Sequence, residues 1–174
     1  NLNKIMEENN ETPQMRGVMN IAALFHDFGK MAEGAGTPHP KNPGQMRYLD
    51  HDDRSADIAD SILKSMGVGR DEREIAVHII KMHMYPHHME EGGGFGNKEI
   101  GRFLRKTKIT GKEEETKDMW KYLLYHAQAD KMASKEDYDT SPDKERFDKV
   151  NNYIETQKGV STDKPVINGY DVMS

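Results

Sequence analysis

The sequence predicts an all-α fold, a compact bundle of about six to seven helices. Three observations carry this prediction. Apolar residues recur at helical spacing along most of the chain, no run alternates with the two-residue period of a strand, and the breaks fall at Gly, Pro and Asn. The 174 residues suffice for one domain with its own core.

Each element follows in order. Leu2, Ile5 and Met6 read as the end of a helix that fades at Glu8 to Glu11. Thr12-Pro13 then reads as an N-cap with proline at the first helical position. Met15, Val18, Met19, Ala22, Ala23 and Phe25 give the next helix an apolar face, and Phe28-Gly29-Lys30 stops it. Residues 33–50 carry three prolines and three glycines and read as a loop, a length that in a compact domain often serves function. Ser55 to Met66 and Asp71 to Met84 read as helices, separated by Gly67-Val68-Gly69; Ala56, Ile58, Ala59, Ile62, Leu63 and Met66 form the inward face of the first. Pro86 opposes continuation of the second. Past the four glycines of residues 90–96, Asn97 caps a helix bearing Ile100, Phe103 and Leu104. Met119 to Asp130 and Lys144 to Gln157 complete the bundle, so that residues 1–158 form the helical domain and 159–174 a tail that opens a following unit.

Composition excludes several classes of protein. The chain has no cysteine, which rules out disulfides and thiolate metal sites. A net charge of -5 does not suit non-specific binding of nucleic acid by the whole surface, although a local basic patch remains open. No apolar run approaches the roughly 20 residues that span a bilayer. No signal peptide is visible, and the expected location is the cytoplasm. The chain begins without Met inside a helix-like pattern and reads as a piece of a longer protein.

Candidate chemistry lies in imidazole and carboxylate side chains. His26 and Asp27 close the most apolar helix, where a carboxylate requires compensation. A divalent cation compensates it directly, since imidazole with carboxylate suits several first-row metals. A buried histidine hydrogen-bonded to a helix carboxylate explains the pair equally well. His51 stands at a helix entry, with Asp52 or Asp53 as its cap. His83 ends the next helix, His87-His88 follow Pro86, and Asp130 comes after Ala127 and Ala129. Each of these has a bland reading: a core histidine for His83, a solvated pair for His87-His88, a helix-end contact for His126. His78 falls on a different face from His83 and reads as structural or exposed, and His39 between two prolines has no assigned role.

The order of these residues resembles the HD phosphohydrolase superfamily. His26-Asp27-Phe28-Gly29-Lys30 is similar to its HD-x-G-K signature, with His51, His83 and Asp130 following in the family's order over residues 15–133. A narrower resemblance is to the HD region of tRNA nucleotidyltransferases (CCA-adding enzymes) and poly(A) polymerase-like proteins. It rests on Ile100 to Arg105, on Tyr125-His126-Ala127-Gln128-Ala129-Asp130, and on Lys164 to Met173. The resemblance implies a metal-dependent phosphohydrolase domain of a tRNA-processing protein. Its divalent ion (Mn, Ni, Mg, Fe or Zn) would be held by His26, Asp27, His51, His83 and Asp130. Asp27, Lys30 and Arg102 would act in catalysis, with Lys30 and Arg102 stabilising charge on phosphoryl oxygens. His51, His83, His87 and Lys30 would contact a phosphorylated nucleotide or RNA end, and the full-length protein would contact tRNA. Lys30 reads equally well as a surface charge.

The sequence departs from the family in two respects. The superfamily supplies an earlier histidine upstream of the HD pair, and residues 1–25 contain none. The nucleotidyltransferase head is also absent from these residues. A non-catalytic HD-like module that contacts RNA, or a free-standing HD nucleotidase, are the alternative readings.

Overall fold

The computed structural model describes residues 1–160. The seven helices expected from periodicity are all present: α1 (Leu2–Glu8), α2 (Pro13–Phe25), α3 (His51–Ser65), α4 (Arg70–Met82), α6 (Asn97–Lys106), α7 (Met119–Ser134) and α8 (Ser141–Val160). One more short helix, α5 (Tyr85–Glu91), lies between α4 and α6. Pro86 stops α4, as expected, but at once serves as an early residue of the next helix, where its missing N–H costs nothing. The tail resemblance at Lys164 to Met173 lies outside the described residues.

The core is a single apolar cluster. Val18, Met19 and Ala22 of α2 meet Ala76, Ile79 and Ile80 of α4; Leu123 of α7 and Phe103 of α6 extend it. α4 packs between α2 and α3, and α7 touches α1, α2, α4, α5 and α8. Thr12 caps α2 as expected, its hydroxyl accepting from the Met15 amide at 3.2 Å. Met66, expected in the core, is 70% exposed: it caps α3, just beyond the periodic face. The loop of residues 33–50 contains one small antiparallel ribbon, β1 (Thr37–Pro38) against β2 (Met46–Arg47). His39 caps its turn, accepting from the amides of Lys41 and Asn42 at 3.2 and 3.1 Å.

The fold begins α3 earlier than periodicity indicated. His51 is its first residue, and Asp50, in the left-handed region at φ 56°, is the cap position. Asp52 and Asp53 are therefore not caps; they lie in the first turn, where the helix dipole favours negative charge. This start is fixed by contact with a 3-10 turn at Phe28–Met31 that continues from α2. A β-carbon on Gly29 would lie 2.2 Å from the His51 carbonyl oxygen and 2.9 Å from the Ser55 nitrogen. The Gly29 amide donates to the buried Ser55 hydroxyl at 2.8 Å. Gly29 thus does more than stop a helix: it lets the backbone after His26-Asp27 press against the start of α3.

Candidate metal centre

Three histidines reach one point by the same local device. His26 caps the C-terminus of α2, His83 caps the C-terminus of α4, and His51 opens α3. Each ring sets its Nδ1 against the carbonyl oxygen three residues earlier: His26 on Ala23 at 2.8 Å, His51 on Tyr48 at 2.8 Å, His83 on Ile80 at 2.6 Å. A carbonyl can only accept, so each Nδ1 carries a proton. In a neutral ring the lone pair is then on Nε2. Carbonyl-anchored imidazoles of this kind are the usual orientation of metal-ligating histidine.

The Nε2 atoms converge on the carboxylates. His51 Nε2 lies 3.2 Å from His83 Nε2 and 3.5 Å from Asp27 Oδ1. His26 Nε2 lies 3.4 Å from Asp27 Oδ2 and 3.6 Å from Asp130 Oδ1. Asp27, His51 and His83 each offer one donor atom, and the three atoms lie within 4.8 Å of one another. The C-termini of α2 and α4, the negative ends of their dipoles, lie at the same point.

The geometry fits a cation. The 3.2 Å approach of His51 to His83 is no hydrogen bond between neutral rings, because both Nε2 atoms present lone pairs. Asp27 Oδ1 is buried without a properly directed hydrogen bond. Two facing lone pairs with a buried carboxylate oxygen beside them are a donor set a divalent ion satisfies. Without it, protons and Lys30 supply the positive charge: Lys30 Nζ lies 2.8 Å from both Asp27 oxygens.

The electrostatics follow. Burial disfavours charge on His26, but its hydrogen bonds to Asp130 and Asp27 outweigh this and push the imidazole up to about 10. Burial would raise the Asp27 carboxyl; hydrogen bonds from His26 and Lys30 outweigh it and hold the group well below the carboxylate range. The His26 hydrogen bond likewise lowers Asp130. His83 and His126 go the other way: burial presses them down to about 4 and about 3.

These directions predict acid lability. The unfolded chain takes up protons at both buried rings near pH 6.5, the folded protein only near 4 and 3. Their contribution is fully present above 6.5 and is lost as pH falls toward those values, on the order of a few kcal/mol together. His26 has the opposite sign, since its contribution is present below 6.5 and is lost as pH rises through about 10. The urea midpoint is expected to drop between pH 6.5 and 4. A flat midpoint there would show that the two rings are solvated.

The remaining expected residues divide. His87 borders the centre, its Nε2 3.8 Å from Asp130 Oδ2. His88 is exposed, and His78 is structural, with Nε2 donating to the Thr107 carbonyl at 2.8 Å. Arg102 is not brought to the centre. It is exposed on α6, in a depression with Tyr85, His88 and Glu99 that no histidine or aspartate of the centre lines. His126 carries more than its expected helix-end contact. It is 2% exposed, neither ring nitrogen has a hydrogen bond, and its ring stands 4.8 Å from that of His26. Its place one helical turn before Asp130 was the available signal. The contact between Gly29 and Ser55 had none, because it joins residues far apart in the chain.

An all-helical bundle whose helix ends converge imidazoles and carboxylates is the architecture of a metal-dependent phosphohydrolase class, and this chain belongs to the HD domain family, whose model matches residues 2–135. Among curated proteins it resembles the Multifunctional CCA protein of Cupriavidus pinatubonensis (strain JMP 134 / LMG 1197), with 32% identity over 128 residues. The match covers 73% of this chain but spans only 28% of that relative. No solved structure gives a significant match. Among the described residues, no helix is long and apolar enough to cross a membrane.

Proposed function

We propose that the domain hydrolyses a phosphate ester at a divalent ion held by His26, Asp27, His51, His83 and Asp130, within a CCA-protein-like RNA-processing polypeptide. The observation that carries this is the pair of facing Nε2 lone pairs on His51 and His83, with the buried Asp27 Oδ1 3.5 Å from the first of them. A bound ion would polarise the phosphoryl group and supply hydroxide near neutral pH. The residues do the rest. His26, protonated in the absence of an ion, would have to give up its Nε2 proton to hold one, so metal uptake at pH 7 is expected to release a proton. Lys30, which holds Asp27 in the absence of an ion, would be the group to neutralise charge on a phosphoryl oxygen once an ion took its place. His87, beside Asp130 at the edge, is placed to hydrogen-bond the ester.

His26→Ala and Asp27→Ala are each expected to abolish metal-dependent phosphatase activity while the helical far-UV spectrum persists. Retained activity in either variant would sink the mechanism. One observation favours a second reading, a non-catalytic module: protonated His26 and Lys30 balance Asp27 and Asp130 without an ion. That reading expects the purified chain to carry no metal and to bind none at micromolar concentration.

A further inference from the structure

Several cations of this acidic chain are spoken for. Arg16 pairs with Glu7 at 2.7 Å, Arg73 with Asp60 at 2.9 Å, Lys81 with Asp53 at 2.9 Å, and Lys112 with Asp71 and Glu74 at 2.8 Å. Helix α6 gathers cations that are not. Residues 98–108 contain five cations and one carboxylate. Lys98, Arg102 and Arg105 are all exposed and follow one another at helical spacings of four and three, so they stand on one face. None of the three has a carboxylate partner among the described residues. Lys106, next to this face, lies 5.4 Å above the Tyr85 ring.

The face is held firmly from behind. Phe103 is fully buried and stacks on Tyr85 at 5.7 Å. Gly101 lies against Tyr153 of α8, so close that a β-carbon would come within 2.7 Å of its hydroxyl. An unpaired row of guanidinium and ammonium groups on a braced helix keeps its charge available for an external anion. A row matches a string of phosphates better than it matches a single one.

We infer that the exposed face of α6 is a docking surface for the phosphate backbone of a nucleic-acid strand, gripped by Lys98, Arg102 and Arg105. This deepens the proposed function and, for the delivery of a strand end to the centre, rests on it. α5 joins the two places: His87 borders Asp130, while the next residue, His88, shares a depression with Arg102. Arg102 then binds substrate at a distance from the metal centre instead of at the reacting phosphoryl group.

The test is kept independent of catalysis. Fluorescence anisotropy would follow a labelled 12-nucleotide RNA titrated with the full 174-residue chain in EDTA. Binding is expected to weaken with salt at a log–log slope of roughly -2, the value for three contacts to a single strand. Arg102→Glu combined with Arg105→Glu is expected to weaken it more than tenfold. Lys64→Glu combined with Lys117→Glu makes the same charge change at exposed sites elsewhere, and is expected to leave affinity within about twofold. Equal losses in the two double variants, or no loss in the first, would overturn the surface. Because no metal is present, failure of the phosphohydrolase reading leaves this result untouched: α6 binding without phosphatase activity refutes the chemistry and upholds the surface.

Discussion

Gly29→Ala is expected to be the most damaging single methyl group that can be added near the centre. The new β-carbon would sit 2.2 Å from the His51 carbonyl oxygen and 2.9 Å from both the Ser55 nitrogen and the Arg54 β-carbon. Two of these three atoms are backbone at the first turn of α3, so no side-chain rotation relieves the clash. The 3-10 turn and α3 must separate, which also breaks the bond from the Gly29 amide to Ser55. Overpacking in a core costs about 1–3 kcal/mol where side chains can adjust, and a buried amide left unsatisfied adds about 1–3 kcal/mol. A total near 4 kcal/mol lowers the melting temperature of a domain this size by about 10 °C. Separation also moves His51 away from Asp27, so metal affinity is expected to fall with stability. Thermal denaturation with and without metal checks both. Wild-type stability in Gly29→Ala would contradict the close approach.

Asp27→Asn is expected to act chiefly on the ion. The side chain keeps its size but loses the charge that faces His26, His51 and Lys30. Divalent affinity is expected to fall at least a hundredfold, about 2.7 kcal/mol. Metal added at a hundred times the wild-type Kd stabilises the wild-type fold by about 2.7 kcal/mol, and that gain should vanish in the variant. Without metal, His26 loses one of the two carboxylate charges that hold its proton. Its imidazole is therefore expected to titrate lower than the wild-type ring, as read by NMR. Unchanged metal-dependent stabilisation would remove Asp27 from the ligand set.

The helices were legible because each buries a stripe at helical spacing, and periodicity reports that stripe without knowledge of its partner. Helix α5 was not, because Pro86 reads as a terminator whichever side of it a helix lies on. The start of α3 was misplaced for a related reason. Residues 51–54 are polar and show no stripe; they are helical because the turn at Gly29 packs on them. The centre was legible in its members and not in its geometry. His26, His51 and His83 stand at element ends, where a ring can reach the carbonyl three residues back, and that preference is local. Which nitrogens then face each other depends on how α2, α3 and α4 pack. Arg102 shows the converse. Its residue type suited phosphoryl chemistry, but α6 exposes it in a depression with His88 that no residue of the centre lines.

The central claim is that a divalent ion belongs between these side chains, and an anomalous difference map of crystals grown with manganese tests it most directly. A peak bonded to Nε2 of His51 and His83 and to an Asp27 oxygen, with Lys30 withdrawn from that carboxylate, is the predicted result. A map without a peak there, with His51 and His83 still in lone-pair contact and Lys30 still on Asp27, would contradict it.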